Sequence, residues 1–225
     1  MYFIINMDDE SALKMLSEYE KKYNIAKGED EEKLMVVKFL TGNEKVLEIG
    51  ANIGRVTSVI AKILSDNNNN NFVTIESDSS HKASLESVKA KFSIDFKIEM
   101  KALSKQRLIQ KGWITKISSG LRSGYKIVSI MTYSELIKKY NIEFDTLVID
   151  CEGAFYHILK DFPNMLENIK MIIIENDYRQ LEHIQYVDKC LSDNNFKCVY
   201  SKGGPRYVKR MSPHSWKRFY EVWKK

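Results

Sequence analysis

The chain has 225 residues, 44% of them apolar and 29% charged, with 10 Gly and 3 Pro. That composition supports one substantial buried core and excludes the disordered, collagen-like and repetitive classes. The 35 basic and 30 acidic residues leave a net charge of +5, an excess that suits an anionic substrate or a membrane surface but falls short of a nucleic-acid binder's footprint. Cys151, Cys190 and Cys198 are odd in number and have no CxxC spacing, which speaks against a disulfide framework and a zinc site. No apolar run approaches a membrane span, and the opening MYFIINMDDESALK meets acids too soon for a signal peptide. A cytoplasmic protein without a membrane span is therefore expected.

In chain order, apolar residues at spacings of three and four predict helices over Ser11 to Tyr23 and Glu31 to Leu40, a cap over residues 1–43 on a core of residues 44–225 in one domain. KVLEIG then reads as a strand, Arg55 to Leu64 as a helix, and FVTIE as the next strand, joined across the polar Asn67 to Asn71 run. Ser80 to Ala90 suits a helix and Ile94 to Ala102 an extended stretch, while Arg107 to Ile130 has no readable period. Order returns with a helix over Ser134 to Tyr140, the strand DTLVID, a helix from Phe155, the strand KMIIIEN and a helix over Gln180 to Leu191. FKCVY and FYEVWKK suit an antiparallel hairpin at a sheet edge. Continuously apolar strands alternating with helices imply an α/β fold with a doubly wound, mostly parallel sheet.

The chemistry concentrates at strand ends. In Glu48-Ile49-Gly50-Ala51-Asn52-Ile53-Gly54 a buried strand gives way to a helix through two glycines. The spacing lacks the middle glycine of the dinucleotide turn, and no Gly-Lys-Ser/Thr follows, so a nucleoside without phosphates is the better ligand. Glu48 suits a cationic amino-acid portion. Glu76, closing the neighbouring strand, can accept two hydrogen bonds from a ribose diol.

EIGANIG, IESD, Ala102-Leu103-Ser104 and IDCEGAFYHIL, in this order over about residues 45–178, resemble the FkbM-type S-adenosylmethionine-dependent methyltransferases. The resemblance implies a Rossmann-like class I methyltransferase fold, a seven-stranded sheet with one antiparallel strand, and methyl transfer to a sugar or natural-product hydroxyl. It places Glu48, Gly50, Asn52 and Gly54 at the methionine portion, Glu76 at the ribose, and Ala102 with Leu103 at the adenine edge. Val148 and Phe155 stand where the family has a lysine and its second glutamate.

Methylating an alcohol requires in-line approach to a sulfonium methyl and removal of a proton, by a base or with a cation's help. Asp150 and Glu175 close two strands one crossover apart, so Asp150, Glu175 and Asn176 could hold magnesium through oxygen ligands. The alternatives are that Asp150 caps the next helix or contacts the cofactor, and that Glu175 pairs with a Lys or Arg. Asp150 and the imidazoles of His157 and His183 are the candidate catalytic groups, and Asp177 and Tyr178 could bind substrate hydroxyls. The basic, aromatic tail from Lys202 to Phe219 could grip an anionic glycan or form a solvated edge.

A sugar O-methyltransferase acting on a glycan or glycosylated metabolite is the first expectation. A catalytically weak S-adenosylmethionine-binding module serving a glycosyltransferase, and a methyltransferase acting on RNA or protein, are the alternatives. A nucleic-acid partner is disfavoured: no Asn/Asp-Pro-Pro-Tyr/Phe turn is present, and Val148 offers no lysine beside Asp150.

Overall fold

The computed structural model describes residues 7–225, so the first six residues of the opening segment lie outside it. Helix α1 (Asp9–Tyr23) is fixed at both ends: the Asp8 side chain accepts from the Ser11 N–H at 2.8 Å, and Asn24 closes the helix in the left-handed region. A short turn leads into α2 (Asp30–Phe39), one residue earlier at each end than its periodicity suggests. The core then runs β1 (Val46–Ile49), α3 (Arg55–Ser65), β2 (Phe72–Ile75), α4 (Lys82–Phe92) and β3 (Lys97–Glu99). It continues with α5 (Tyr133–Tyr140), β4 (Thr146–Ile149), α6 (Phe155–Asp161), β5 (Met171–Glu175), α7 (Leu181–Asp193), β6 (Lys197–Lys202) and β7 (Tyr220–Lys224).

These strands form one seven-stranded sheet in the order β6-β7-β5-β4-β1-β2-β3. All neighbours are parallel except β7, which runs antiparallel to both β5 and β6. The C-terminal pair is antiparallel at one edge of the sheet, as expected, with β6 outermost and β7 between it and β5; residues 203–219 form the long connection between the two strands. Strand alternation divides the apolar residues between two layers. Val46, Phe72, Val148 and Ile173 face α1–α4, whereas Leu47, Val73, Leu147 and Ile172 face α5–α7.

The expected extended stretch from Ile94 to Ala102 divides between two sheets. Lys97–Glu99 joins the main sheet, and Ala102–Leu103 pairs with Ile130–Met131 outside it. The stretch without readable period folds into a small antiparallel sheet of Leu108–Lys111, Ile114–Ile117 and Lys126–Val128. Both small sheets interrupt the path from β3 to α5. The asparagine run is mostly exposed, but Asn69 donates to the carbonyls of Gly42 and Glu44 at 2.9 and 2.8 Å, tying the connection to the approach to β1.

Candidate active site

Register places the functional side chains in one row. Ile49 lies opposite Ile75 and Ile149, and Ile149 opposite Ile174, so Gly50, Glu76, Asp150 and Glu175 follow at the same level, at the carboxyl ends of the four central strands. Ligands of open α/β sheets bind at this edge. The chain turns at Gly50 with φ +95°, and a Cβ there would lie 1.6 Å from the Asp150 carbonyl oxygen. Only glycine lets β1 and β4 approach so closely. The Gly50 and Ala51 N–H groups donate to the Ile75 carbonyl at 2.9 and 3.2 Å, fastening the turn to β2.

Glu76 is buried, and its carboxylate accepts from the backbone N–H groups of Asn52 and Asp78, both at 2.7 Å. Oε2 keeps a further lone pair, while Oε1 also accepts a long bond from the Ser77 hydroxyl at 3.4 Å, so the group can receive two hydroxyls once Ser77 gives way. The cap reaches the same turn. Glu29 accepts from Arg55 at 2.9 Å and lies 3.5 Å from the Asn52 side-chain nitrogen. Burial raises the Glu29 pKa although Arg55 opposes the shift.

Glu48 sits beneath the turn, buried, accepting from Thr74 and Thr57 hydroxyls at 2.6 and 2.8 Å. Desolvation pushes its pKa up to about 7, against the pull of those two hydroxyls. Leu103, expected at the adenine edge, packs its side chain into the core, and Ala102 beside it is half-buried in the small parallel pair. Ser104 and Lys105 anchor that step by donating to Asp161 of α6 at 3.1 and 2.8 Å.

A second cluster converges on Asp150. Carboxylate oxygens of Glu32, Asp150 and Glu175 lie within 4.8 Å of one another. They line a cavity of about 10 Å³ together with Glu48 and Gly50, enough for about one water-sized occupant. Glu32 Oε2 is buried without a hydrogen-bond partner. Desolvation, then the neighbouring carboxylates, raise Asp150 well above its usual range, and burial with the contact to Glu32 does the same for Glu175. Three mutually repelling acids in low dielectric must hold protons or receive a cation.

Neither the helix cap expected of Asp150 nor the ion pair expected of Glu175 forms among the described residues. The N-cap of α6 is Ala154, with no side-chain bond, and no Lys or Arg pairs with Glu175. Asn176, expected beside them, turns away. Its amide donates to the Arg218 carbonyl at 2.9 Å and to Glu221 at 2.8 Å, because successive strand residues face opposite sides.

Two further expectations are corrected, and the charge of the tail is partly accounted for. His157 and His183 do not line the strand-end cavity. They pack with Tyr156 on the outer side of α6 and α7, where the Tyr156 and His183 rings stack at 3.7 Å and the two imidazoles are 5.3 Å apart. Burial lowers both histidine pKa values, so both are neutral at pH 7. Asp177 accepts a hydrogen bond from Ser212, and the Tyr178 ring is buried in the core. In the tail, Arg218 forks onto Asp188 at 2.6 and 2.8 Å and Lys202 pairs with Glu31 at 2.5 Å, so part of that positive charge is internally neutralised.

Glu152 is a residue the sequence reading passed over. It follows Asp150 in the turn before α6, with φ +54°. Glu152 as a whole is exposed and does not line the cavity at Asp150, but partial desolvation of its carboxyl and the contact with Asp177 push its pKa up to about 7. Gly153 next to it also has positive φ (+77°), and a Cβ there would lie 2.5 Å from the Asp177 carbonyl. The β4 and β5 loops are therefore held against each other at the site.

No protein-family model matches the chain, and no curated protein matches it in sequence. Solved structures do resemble it. Cofactor-bound Rv0187 from MTB aligns over 99% of this chain and 92% of its own at 12% identity and a TM-score of 0.50. The ribosomal protein L11 methylase from Lactobacillus delbrueckii subsp. bulgaricus aligns over 89% and 80% at 11% identity and 0.50. Streptococcus pneumoniae Sp1610, solved in complex with S-adenosyl-L-methionine, aligns over 86% and 72% at 12% identity and 0.50. The chain thus has the Rossmann-like fold of the class I methyltransferases: a mostly parallel seven-stranded sheet, one antiparallel strand and helices on both faces.

Proposed function

We propose that this protein is an S-adenosylmethionine-dependent O-methyltransferase acting on a hydroxyl of a sugar, within a glycan or a glycosylated metabolite. The observation that carries the cofactor is Glu76, whose carboxylate is locked by the Asn52 and Asp78 N–H groups beside a phosphate-free glycine turn. A ribose diol matches that acceptor. The cofactor's ammonium and sulfonium charges suit the acids grouped around Asp150. The sugar acceptor is supported by the resemblance of EIGANIG, IESD, Ala102-Leu103-Ser104 and IDCEG to the FkbM-type enzymes.

In this reading S-adenosylmethionine, when bound, would supply an electrophilic methyl group to the acceptor oxygen; the part of this chain would be to hold the two in line and to take the hydroxyl proton on a carboxylate. Glu152 is suited to that base, because a pKa near 7 balances ionised fraction against proton affinity. Asp150 holds the cationic end of the cofactor.

A divalent cation, magnesium foremost, is a second reading for Glu32, Asp150 and Glu175, favoured by their all-oxygen donor set and the unpartnered Glu32 Oε2. Bound there, the ion would polarise an acceptor hydroxyl. A cofactor-binding module with weak turnover is favoured by one substitution: Phe155, fully buried, occupies a position where the family carries a carboxylate. Incubation with S-adenosylmethionine and simple methyl glycosides, with and without EDTA, separates these readings. Release of S-adenosylhomocysteine only with a glycoside supports the sugar enzyme, and loss of it in EDTA supports the metal. Cofactor binding without turnover on any sugar, RNA or protein acceptor supports the module.

A further inference from the structure

Between Glu99 and Glu135 the chain has no acidic residue and seven basic ones: Lys101, Lys105, Arg107, Lys111, Lys116, Arg122 and Lys126. That exceeds the net charge of the whole protein, +5, so the remainder of the chain is net acidic. Among the described residues none of the seven pairs with a carboxylate. The same segment forms the small antiparallel sheet, and it carries a concentration of exposed apolar side chains: Trp113 is 72% exposed, Leu121 61%, Ile117 56% and Ile127 55%.

The register shows how these groups are arranged. Lys111 pairs with Ile114 and Ile109 with Ile127, which puts Ile114 and Ile127 on one face, whereas Ile117 pairs with Leu108 on the other. Trp113 stands at the turn between the first two strands. Ile109 and Val128, one on each face, are buried, but exposed apolar groups remain on both faces, with lysines interspersed. A rigid protein partner covers one face of a sheet; a fluid layer covers both. Nucleic-acid strands are gripped by stacking on aromatic rings, but the fully exposed apolar groups here are aliphatic apart from Trp113, and the half-buried Tyr125 ring has Lys116 over it.

From this charge complementarity and two-sided apolar exposure we propose that the blade of residues 105–128 docks on an anionic lipid surface, with Trp113 and its isoleucine neighbours entering the headgroup layer and the lysines and arginines contacting lipid phosphates. Tryptophan is favoured at that depth, and each basic residue near an anionic surface strengthens binding roughly fivefold. The protein would be a peripheral one, since no helix among the described residues is long and apolar enough to cross a membrane.

The test is co-sedimentation of the whole protein with vesicles of phosphatidylcholine alone or mixed with phosphatidylglycerol. Wild type is expected to bind the mixed vesicles at least tenfold more tightly than the neutral ones, less so as salt rises. The triple variant Lys111→Glu, Lys116→Glu, Arg122→Glu, and separately Trp113→Ser, should each lose tenfold or more while keeping their circular dichroism. As a check that needs no destabilising change, wild-type tryptophan emission should shift to the blue on mixed vesicles, and Trp113→Phe should abolish the shift. Equal binding to both vesicle types, no binding, or preference for single-stranded RNA over mixed vesicles would overturn the proposal.

Discussion

The main chain of Asp150 occupies the space that a side chain on Gly50 would need, the two being separated by 1.6 Å once a Cβ is built. Strands β1 and β4 can therefore bring the glycine turn and the acid at the end of β4 together only if residue 50 has no side chain. Gly50→Ala should cost more than about 3 kcal/mol of stability through steric overlap at a positive φ. Gly120→Ala, where nothing lies within 4 Å, should cost no more than about 0.5 kcal/mol. Urea unfolding of both variants checks the pair, and equal destabilisation would contradict the close approach.

Removing the Glu76 carboxylate leaves the Asn52 and Asp78 N–H groups without their acceptor and takes the proposed partner from the ribose. Glu76→Ala should weaken S-adenosylhomocysteine binding by at least about 2 kcal/mol, roughly 30-fold. Glu152→Gln should leave that affinity within about threefold and depress turnover by roughly 100-fold or more, as expected for loss of a general base. Parallel calorimetry and activity assays separate the two roles.

Stability should fall as pH rises through neutrality. A solvated glutamate titrates near 4.5, and burial raises Glu48 to about 7 in the folded chain. The folded state therefore binds more protons than the unfolded one in that interval. The stabilisation is fully present below about 4.5, diminishes as pH rises, and is lost by about 7; it amounts to up to about 3 kcal/mol. Asp150 and Glu175 are shifted in the same direction. Unfolding free energy measured from pH 5 to pH 8 should decline, and Glu48→Gln should flatten the slope.

Binding a cation to this acid group should expel protons. At pH 7.5 the heat of S-adenosylmethionine binding should be more exothermic in Tris than in phosphate, because Tris takes up the released protons. Glu175→Gln should reduce the difference. Identical heats in the two buffers would show that the acids were already ionised, or that the charge of the cofactor does not reach them.

How much of this was legible in the sequence follows physical lines. The sheet, the glycine turn and Glu76 are local: an apolar strand, a break and a carboxylate at its end are all written within a few residues. Asn176 was misplaced because it follows Glu175 directly, and the alternation of a strand turns neighbouring side chains apart. The histidines failed on helix phase, since α6 buries Phe155, Ile158 and Leu159 while leaving His157 exposed. Glu32 was invisible for another reason. In Asp30-Glu31-Glu32 it looks like one more acid complementing a helix N-terminus; only the packing of α2 over β5 sends it beneath the surface. The blade at residues 105–128 lacked a readable period because its strands are short, Ile114–Ile117 is exposed throughout, and the other two strands bury one residue each, too few to impose alternation.

The most direct test of the central claim is titration of the protein with S-adenosylhomocysteine, repeated with Glu76→Ala and with NAD. The account predicts one-to-one saturable binding to wild type, a loss of about 30-fold or more in the variant, and no heat with NAD. Absence of binding to wild type, or preference for the pyrophosphate-bearing nucleotide, would contradict it.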